Sequence, residues 1–313
     1  MNNFIFSLNA TLPVFLVIVL GYILNQRGLF SKDFITTADK FVFKVALPVL
    51  LFKDIATTNI RECFNPKFVI FCSVATISMF LIIWLLASFF IKDKSIVGAF
   101  TQASARGSAA VLGIAFVNNI YGDSGMAPLM IVSAVPFFNI LSVIILTFSS
   151  SENTGTGNIK KAFINVLKNP IIIGILLGLI YSLSELPMPL AMLKTITYIS
   201  NTATPLALLV VGASFEGKKA IAKLKPSIIA TIIKLVIIPL VFFPIAILLG
   251  FRNSELVAIL VMLGSPTTVT CYIMAKNMGN DEVLSSSVVV LSTLFSSITL
   301  TIWVFVLKSL ALI

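Results

Sequence analysis

Two short segments of the chain carry the side chains best suited to bind a ligand. The first is Arg106-Gly107-Ser108 and the second is Ser265-Pro266-Thr267-Thr268. Both lie inside long apolar runs, where an arginine costs at least about 2.5–3.5 kcal/mol to place and marks a functional site. Arg106 lies about 11 residues into its run, or about 17 Å of helix, which places it near the middle of a bilayer. Its guanidinium could bind a carboxylate through two parallel hydrogen bonds.

The same two segments are predicted to interrupt their helices. Pro266 lacks a backbone donor and clashes with the preceding turn, and Gly107 permits backbone angles that other residues resist. An interrupted helix exposes N–H groups at the start of its second half, and that end carries positive partial charge. We therefore predict an anion site at the two breaks, with Ser108, Thr267 and Thr268 donating hydroxyl hydrogen bonds.

The elements that position these residues are predicted to be transmembrane helices of an all-α polytopic membrane protein. Of the 313 residues, 58% are hydrophobic and 11% are charged, against roughly 25% charged in soluble domains. The apolar runs are continuous and reach the length of about 20 residues that a spanning helix needs, without the alternation of barrel strands. Ten spans are predicted, at 6–26, 35–58, 67–91, 95–120, 124–148, 169–184, 190–215, 226–249, 254–277 and 283–307.

The ten spans divide into two similar halves, residues 1–150 and 169–313, joined by a polar linker at 151–168. Several residues recur at a spacing of 157 or 158: Pro13 with Pro170, Gly21 with Gly178, Pro48 with Pro205, Asn119 with Asn277, and Asp123 with Asp281. At the same spacing Gly107-Ser108 falls opposite Ser265-Pro266. Because five spans is an odd number, the halves form two inverted five-helix repeats, with broken helices 4 and 9 crossing near the midplane.

The basic residues predict the orientation of the chain. The formal net charge is +10, and Lys and Arg lie mostly in the short loops between spans. With the N-terminus outside, twelve of them lie in inner loops and six on the outer side, as the positive-inside rule requires. We expect a multi-pass protein of the cell membrane with both termini outside and a cytoplasmic linker. Positive charge placed in this way does not indicate nucleic-acid binding.

The sequence offers little chemistry of other kinds. It contains no His, and Cys63, Cys72 and Cys271 have neither metal-binding nor redox spacing. No nucleophile stands near a base, and no phosphate-binding loop is present. We expect no enzyme activity, catalytic residue, bound metal or cofactor.

Two further lysines lie within spans. We expect Lys234 to extend its long side chain toward the inner surface, and Lys44 to pair with the neighbouring Asp39. The sequence leaves open whether either lysine lines the ligand cavity.

Over nearly its whole length the chain resembles the auxin efflux carrier family, within the bile acid/auxin transporter superfamily. The resemblance is carried by Leu47–Phe52, Arg106–Ile114 and Ala275–Asp281, together with the Ser-rich start of the last span. It implies crossing broken helices, a scaffold domain and a transport domain, elevator-type motion, and often a homodimer. It also implies organic-anion substrates, which are auxin in plant members and dicarboxylates such as malate or malonate in many bacterial ones. Plant members tend to have Pro-Asn where this chain has Gly107-Ser108, which argues against auxin itself.

The sequence therefore predicts a permease for small organic anions that works by alternating access across the lipid bilayer. The coupling ion stays open between H+ and Na+, and the nearest alternative is a sodium-coupled organic-anion symporter of the bile-acid type. An anion channel would instead pass current far above carrier rates. A membrane sensor would bind the ligand without moving it.

Overall fold

A computed structural model of the chain describes residues 2–57, 65–150, 159–184 and 186–313. Cys63 and residues 151–158 of the predicted linker lie outside these described residues. The described residues form α-helices joined by short turns, with one isolated β-bridge between Gly107 and Thr267.

The α-helices follow one another along the described parts of the chain. They are α1 (Asn2–Gln26), α2 (Lys32–Phe41), α3 (Leu47–Ala56), α4 (Pro66–Phe90), α5 (Val97–Ala105), α6 (Ala109–Tyr121), α7 (Ala127–Ser149), α8 (Ile159–Leu167), α9 (Pro170–Ser184), α10 (Leu190–Ala213), α11 (Gly217–Ala222), α12 (Leu224–Ile232), α13 (Ile238–Leu248), α14 (Asn253–Gly264), α15 (Thr270–Asn277) and α16 (Glu282–Ser309). A π-helical segment, Val42–Ala46, joins α2 to α3, and a second, Ile233–Ile237, joins α12 to α13.

Several of these helices are suited to a bilayer. Within the described residues, five helical stretches are long and apolar enough to cross a membrane: Pro66–Phe90, Ala127–Ser149, Leu190–Ala213, Leu224–Leu248 and Glu282–Ser309. Shorter apolar helices lie at Thr11–Gln26, Leu112–Tyr121, Pro170–Ser184 and Asn253–Gly264. The predicted all-helical class is confirmed for the described residues, and these helices are consistent with a membrane protein.

Polar caps fix where several helices begin. The side chains of Asn65 and Asp281 accept hydrogen bonds from the backbone N–H groups of Phe68 and Leu284, at 3.2 and 2.7 Å. Each cap satisfies one of the N–H groups that a helix leaves without an intrahelical partner. These residues set the starts of α4 and α16 close to the predicted spans.

The predicted linker is not a loop throughout, because its last part folds as α8. Ala162 and Val166 lie one helical turn apart and are both buried. This apolar pair gives the short segment a face that packs against the protein.

The helices form two groups that can be distinguished by their contacts. The first contains α1, α3, α9 and α10, in which α1 packs on α10 and α3 packs on α9. The second contains α4 to α7 together with α12 to α16. The two groups also pack against each other, extensively through α1 and α16 and further through α7 with α9 and α10 with α15.

Glycines allow the helices of the first group to approach closely. A Cβ atom on Gly21 of α1 would lie 2.3 Å from the carbonyl oxygen of Leu209 in α10. A Cβ atom on Gly178 of α9 would lie 3.0 Å from the carbonyl oxygen of Phe52 in α3. The two contacts are equivalent at a spacing of 157, since 178 − 21 and 209 − 52 are both 157.

Candidate functional site

The helices are interrupted at both predicted positions. Helix α5 ends at Ala105, Arg106 is extended, and α6 begins at Ala109 after three intervening residues. Helix α14 ends at Gly264, Ser265 is extended, and α15 begins at Thr270. Each break leaves a C-terminal and an N-terminal helix end deep in the protein.

The two breaks meet, as predicted. Gly107 and Thr267 form an antiparallel bridge, and the N–H of Ser108 donates to the carbonyl of Pro266 at 2.9 Å. The Thr267 hydroxyl donates to the carbonyl of Ala103 at 2.7 Å. Some backbone N–H and C=O groups that lose their helical partners at the breaks are therefore hydrogen-bonded across the crossing, as buried backbone groups must be.

Arg106 is buried beside the crossing, with 6% of its surface exposed. Its Nη2 donates to Oδ1 of Asn139 at 2.7 Å, and its Nη1 lies 2.8 Å from the sulfur of Met274. The amide of Asn139 is oriented because its Nδ2 donates to the carbonyl of Val135 at 2.8 Å. These contacts hold the guanidinium in place and use two of its five N–H groups.

Two small cavities flank the crossing. One, of about 60 Å³, is lined by Arg106, Gly107 and Ser108 on one side and by residues of α3 and α10 on the other. The second, of about 30 Å³, is lined by Pro266, Thr267 and residues of α1, α10 and α16. Ser108, Thr204 and Thr268 line both cavities. The two breaks belong to the second helix group, and they face the first group across these two small cavities.

Lys234 is the principal site residue that sequence reasoning placed wrongly. It does not extend to the inner surface but is fully buried, and its ammonium contacts the C-terminal ends of α5 and α14. A lysine in the middle of an apolar run was the available signal, since such charges are rarely without a role. Lys44, in the other π segment, is exposed, and Asp39 accepts a hydrogen bond from Asn277 at 2.8 Å instead.

The electrostatics of the crossing are asymmetric. The C-terminal ends of α5 and α14, which carry negative partial charge, are covered by the Lys234 ammonium. The N-terminal ends of α6 and α15, which carry positive partial charge, border the cavities through Ala110 and Thr270. Arg106 adds a full positive charge on that side. These positive groups are suited to an anion, and the carboxyl-bearing Asp54 of α3 lines the first cavity as well.

The structure brings the predicted site residues to one place but gives them different surroundings. Ser108 and Thr268 are half-buried and line both cavities. The hydroxyl proton of Thr267 is already directed at Ala103. Ser265 is fully buried, and its hydroxyl oxygen has no hydrogen-bond partner among the described residues. Asn139 and Thr204 line the same site and were not predicted.

A family model and several relatives similar to this chain are described as membrane transporters. Residues 6–304 match a family described as membrane transport protein. An uncharacterized transporter from Methanothermobacter thermautotrophicus is 24% identical over 97% of this chain and 99% of the relative. The uncharacterized transporter YfdV of Escherichia coli K12 is 24% identical over 96% of this chain and 98% of its own. A protein of Rhizobium meliloti named "Putative malonate transporter" is 23% identical over 96% of both chains.

Proposed function

The chain belongs to the membrane transport protein family, which is the auxin efflux carrier family of the sequence resemblance, and we propose that it is a secondary active permease for small organic anions in the cell membrane. The observation that supports a negatively charged substrate is the set of groups at the crossing of the two breaks. Arg106 and the N-terminal ends of α6 and α15 converge on one pair of cavities, in which Asp54 of α3 is the one carboxylate among the lining residues.

Short dicarboxylates are the substrate class that we favour, with malonate and malate as the first candidates. The relative from Rhizobium meliloti carries malonate in its name, and the cavities at the crossing are small. Two carboxylates could be shared between Arg106 and the hydroxyls of Ser108 and Thr268. A monocarboxylate with a large ring, such as an auxin-like acid, would need the cavities to widen.

The architecture that supports transport is ten spans in two inverted five-helix repeats, 1–150 and 169–313. The equivalent glycine contacts, Gly21 with Leu209 and Gly178 with Phe52, support this repeat. So do the positions of α4 and the stretch Leu224–Leu248, which begin and end 158 residues apart. Inverted repeats of this kind place the substrate between broken helices at the midplane.

Elevator-type motion would follow from the two helix groups. Both breaks belong to the second group, while α1, α3 and α10 of the first group supply the opposite wall of the cavities. A displacement of the second group along the first would carry the bound anion with it. Both termini are proposed to lie outside, and the family resemblance implies a homodimer.

The test is binding and uptake of malonate by purified protein with substitutions at Arg106. Malonate should raise the melting temperature of the wild type in a concentration-dependent way. Arg106→Ala should weaken binding about 10- to 100-fold, because a charge-assisted hydrogen bond is worth roughly 1.5–3 kcal/mol. Arg106→Lys should recover little, since an ammonium lacks the planar fork.

Lys44→Ala provides the control, because Lys44 is an exposed basic residue that lines neither cavity. It should leave malonate affinity and uptake unchanged. A folded Arg106→Ala variant with wild-type affinity would remove Arg106 from the site. A wild type that neither binds nor transports any of malonate, malate and indole-3-acetate would refute the proposed function.

A further inference from the structure

The ammonium group of Lys234 sits among three main-chain carbonyl oxygens. Its Nζ lies 2.8 Å from the oxygen of Leu263, 3.2 Å from that of Ala105 and 3.4 Å from that of Met262. Ala105 is the last residue of α5, and Met262 and Leu263 belong to the last turn of α14. A single side chain thus contacts the C-terminal ends of both broken helices.

These carbonyls are available because the helices are broken. In a continuous helix the N–H of residue 266 would bond to the carbonyl of Met262, but Pro266 has no N–H. The N–H of Thr267 would bond to Leu263 but donates instead to the hydroxyl of Ser292 at 3.0 Å. The break leaves buried acceptors on both helix ends, and buried acceptors without partners are strongly destabilising.

Local structure makes room for the lysine at this point. Lys234 lies within the π-helical segment Ile233–Ile237, and such segments are frequent at functional sites. Gly107 provides the space opposite, since a Cβ atom there would lie 2.8 Å from the Lys234 Nζ. Any larger residue at 107 would therefore require the Lys234 ammonium to shift.

The charge of Lys234 is balanced by helix ends and not by an acid. The ion pairs found among the described residues do not include Lys234. Two helix C-termini together carry negative partial charge of about one elementary unit. The Lys234 ammonium, which is fully buried, neutralises this charge.

We propose that the crossing contains a monovalent-cation site formed by the carbonyls of Ala105, Met262 and Leu263, and that Lys234 fills it permanently with its own ammonium. Lys234 is then a positioning residue, because it holds the two half-helices together without touching the anion. Removing the ammonium should leave a site that takes a free cation of similar size, such as methylammonium or K+.

One consequence rests on the proposed function. Because the cation is part of the chain, malonate uptake should proceed equally well when Na+ is replaced by choline. This outcome would separate the protein from the sodium-coupled alternative. Uptake that requires Na+ would overturn this consequence.

The direct test is the thermal stability of Lys234→Ala in different salts, without substrate. The variant should melt about 5–10 °C below the wild type in choline chloride, because buried acceptors lose their charged partner. Methylammonium or K+ at the same ionic strength should recover at least about half of this loss. Choline is too large to enter, and the wild type should respond alike to every salt.

Three further variants make the result decisive. Lys234→Met fills the space without charge and should stay destabilised in every salt. Lys44→Ala should match the wild type, because Lys44 lies in the other π segment but is exposed. If Lys234→Ala does not fold, Lys234→Gln, which keeps N–H donors without charge, should still melt below the wild type.

Wild-type stability in Lys234→Ala or Lys234→Gln would overturn the proposal. A destabilised Lys234→Ala that recovers equally in all salts, or in none, would also overturn it. Because no substrate is present, these outcomes are independent of the anion-carrier proposal. Absence of malonate binding would likewise leave the cation site untouched.

Discussion

The substitution Gly107→Ala tests whether the crossing is as closely packed as its contacts indicate. A Cβ atom at residue 107 would lie 2.5 Å from the Ser265 hydroxyl oxygen, 2.8 Å from the Lys234 Nζ and 3.1 Å from the Met262 carbonyl oxygen. Distances below 3.0 Å force one of these groups to move. Displacing Lys234 would also lengthen its hydrogen bonds to the two helix ends.

The expected destabilisation can be estimated from these contacts. Overpacking a well-filled interior costs about 1–3 kcal/mol, and partial loss of the lysine contacts places this change at the upper end. For a chain of this size we expect the melting temperature to fall by roughly 4–8 °C. Tryptophan fluorescence during heating of the detergent-purified protein measures the change.

Gly113→Ala is the matched control in the neighbouring helix. Its Cβ atom would also be close to another atom, at 2.9 Å, but that atom is the terminal methyl group of Met130. A flexible side-chain end can move at little cost. Gly113→Ala should therefore lower the melting temperature much less than Gly107→Ala.

A second variant tests which contact causes the loss of stability in Gly107→Ala. Ser265→Ala alone should be close to neutral, because the Ser265 hydroxyl is buried without a hydrogen-bond partner among the described residues. Combined with Gly107→Ala it should recover part of the lost stability, since the closest clash is removed. If Gly107→Ala and Gly113→Ala melt within about 1 °C of each other, the packing argument is wrong.

Three further predictions concern other parts of the molecule. Gly212→Ala should strongly reduce stability or expression, because its Cβ atom would lie 1.8 Å from the backbone carbonyl oxygen of Ile18, which cannot move aside independently. A hydrogen bond from the Ser95 hydroxyl lowers the pKa of the exposed Asp93 carboxyl below its ordinary value of 3.8. Asp93 therefore stabilises the folded state above that pH, and the small difference in melting temperature between wild type and Asp93→Asn should fade as the pH falls below about 4. Lys218→Cys in a cysteine-free background should react with a membrane-impermeant thiol reagent only after permeabilisation, and reaction in intact cells would reverse the proposed orientation.

The sequence was sufficient to locate the long apolar helices and the two breaks, after Ala105 and after Gly264. Continuous apolar runs have one solution in a bilayer, since every backbone group must be bonded within the span. Pro266 acts on its own helix, so its effect can be recognised without knowing the fold. Gly107 is needed for a different reason, because a Cβ atom there would meet Ser265 and Lys234 of other helices. The spacing of 157–158 then pairs the two breaks, and the bridge between Gly107 and Thr267 is found at that place.

The role of Lys234 could not be predicted, because its partners are main-chain carbonyls. Every residue has a backbone carbonyl, so the sequence does not indicate which carbonyls contact the lysine. Only the tertiary arrangement brings the ends of α5 and α14 to the same lysine. The π segments have the same limitation, since the extra residue in such a turn is set by packing and not by local propensity.

Arg106 illustrates a different limit. Its depth in the membrane could be estimated from the sequence, but its contacts with Asn139 and Met274 could not. Asn139 lies in a charge-free run, where a single amide forms no sequence pattern that indicates a contact with Arg106. The arginine is therefore more constrained than a free clamp would be, and its remaining N–H groups decide how an anion can approach.

The way in which the two breaks are joined favours a carrier over a channel. Ser108 and Thr267 hydrogen-bond across the crossing to Pro266 and Ala103, so that parts of both halves of the chain are fixed to each other. The opposite wall of the cavities, from α3 and α10, belongs to the other helix group. A channel needs an open path past a fixed site, whereas the two breaks are hydrogen-bonded to each other and the cavities beside them are small. Movement of one group against the other would expose the same cavities first on one side and then on the other, which is alternating access.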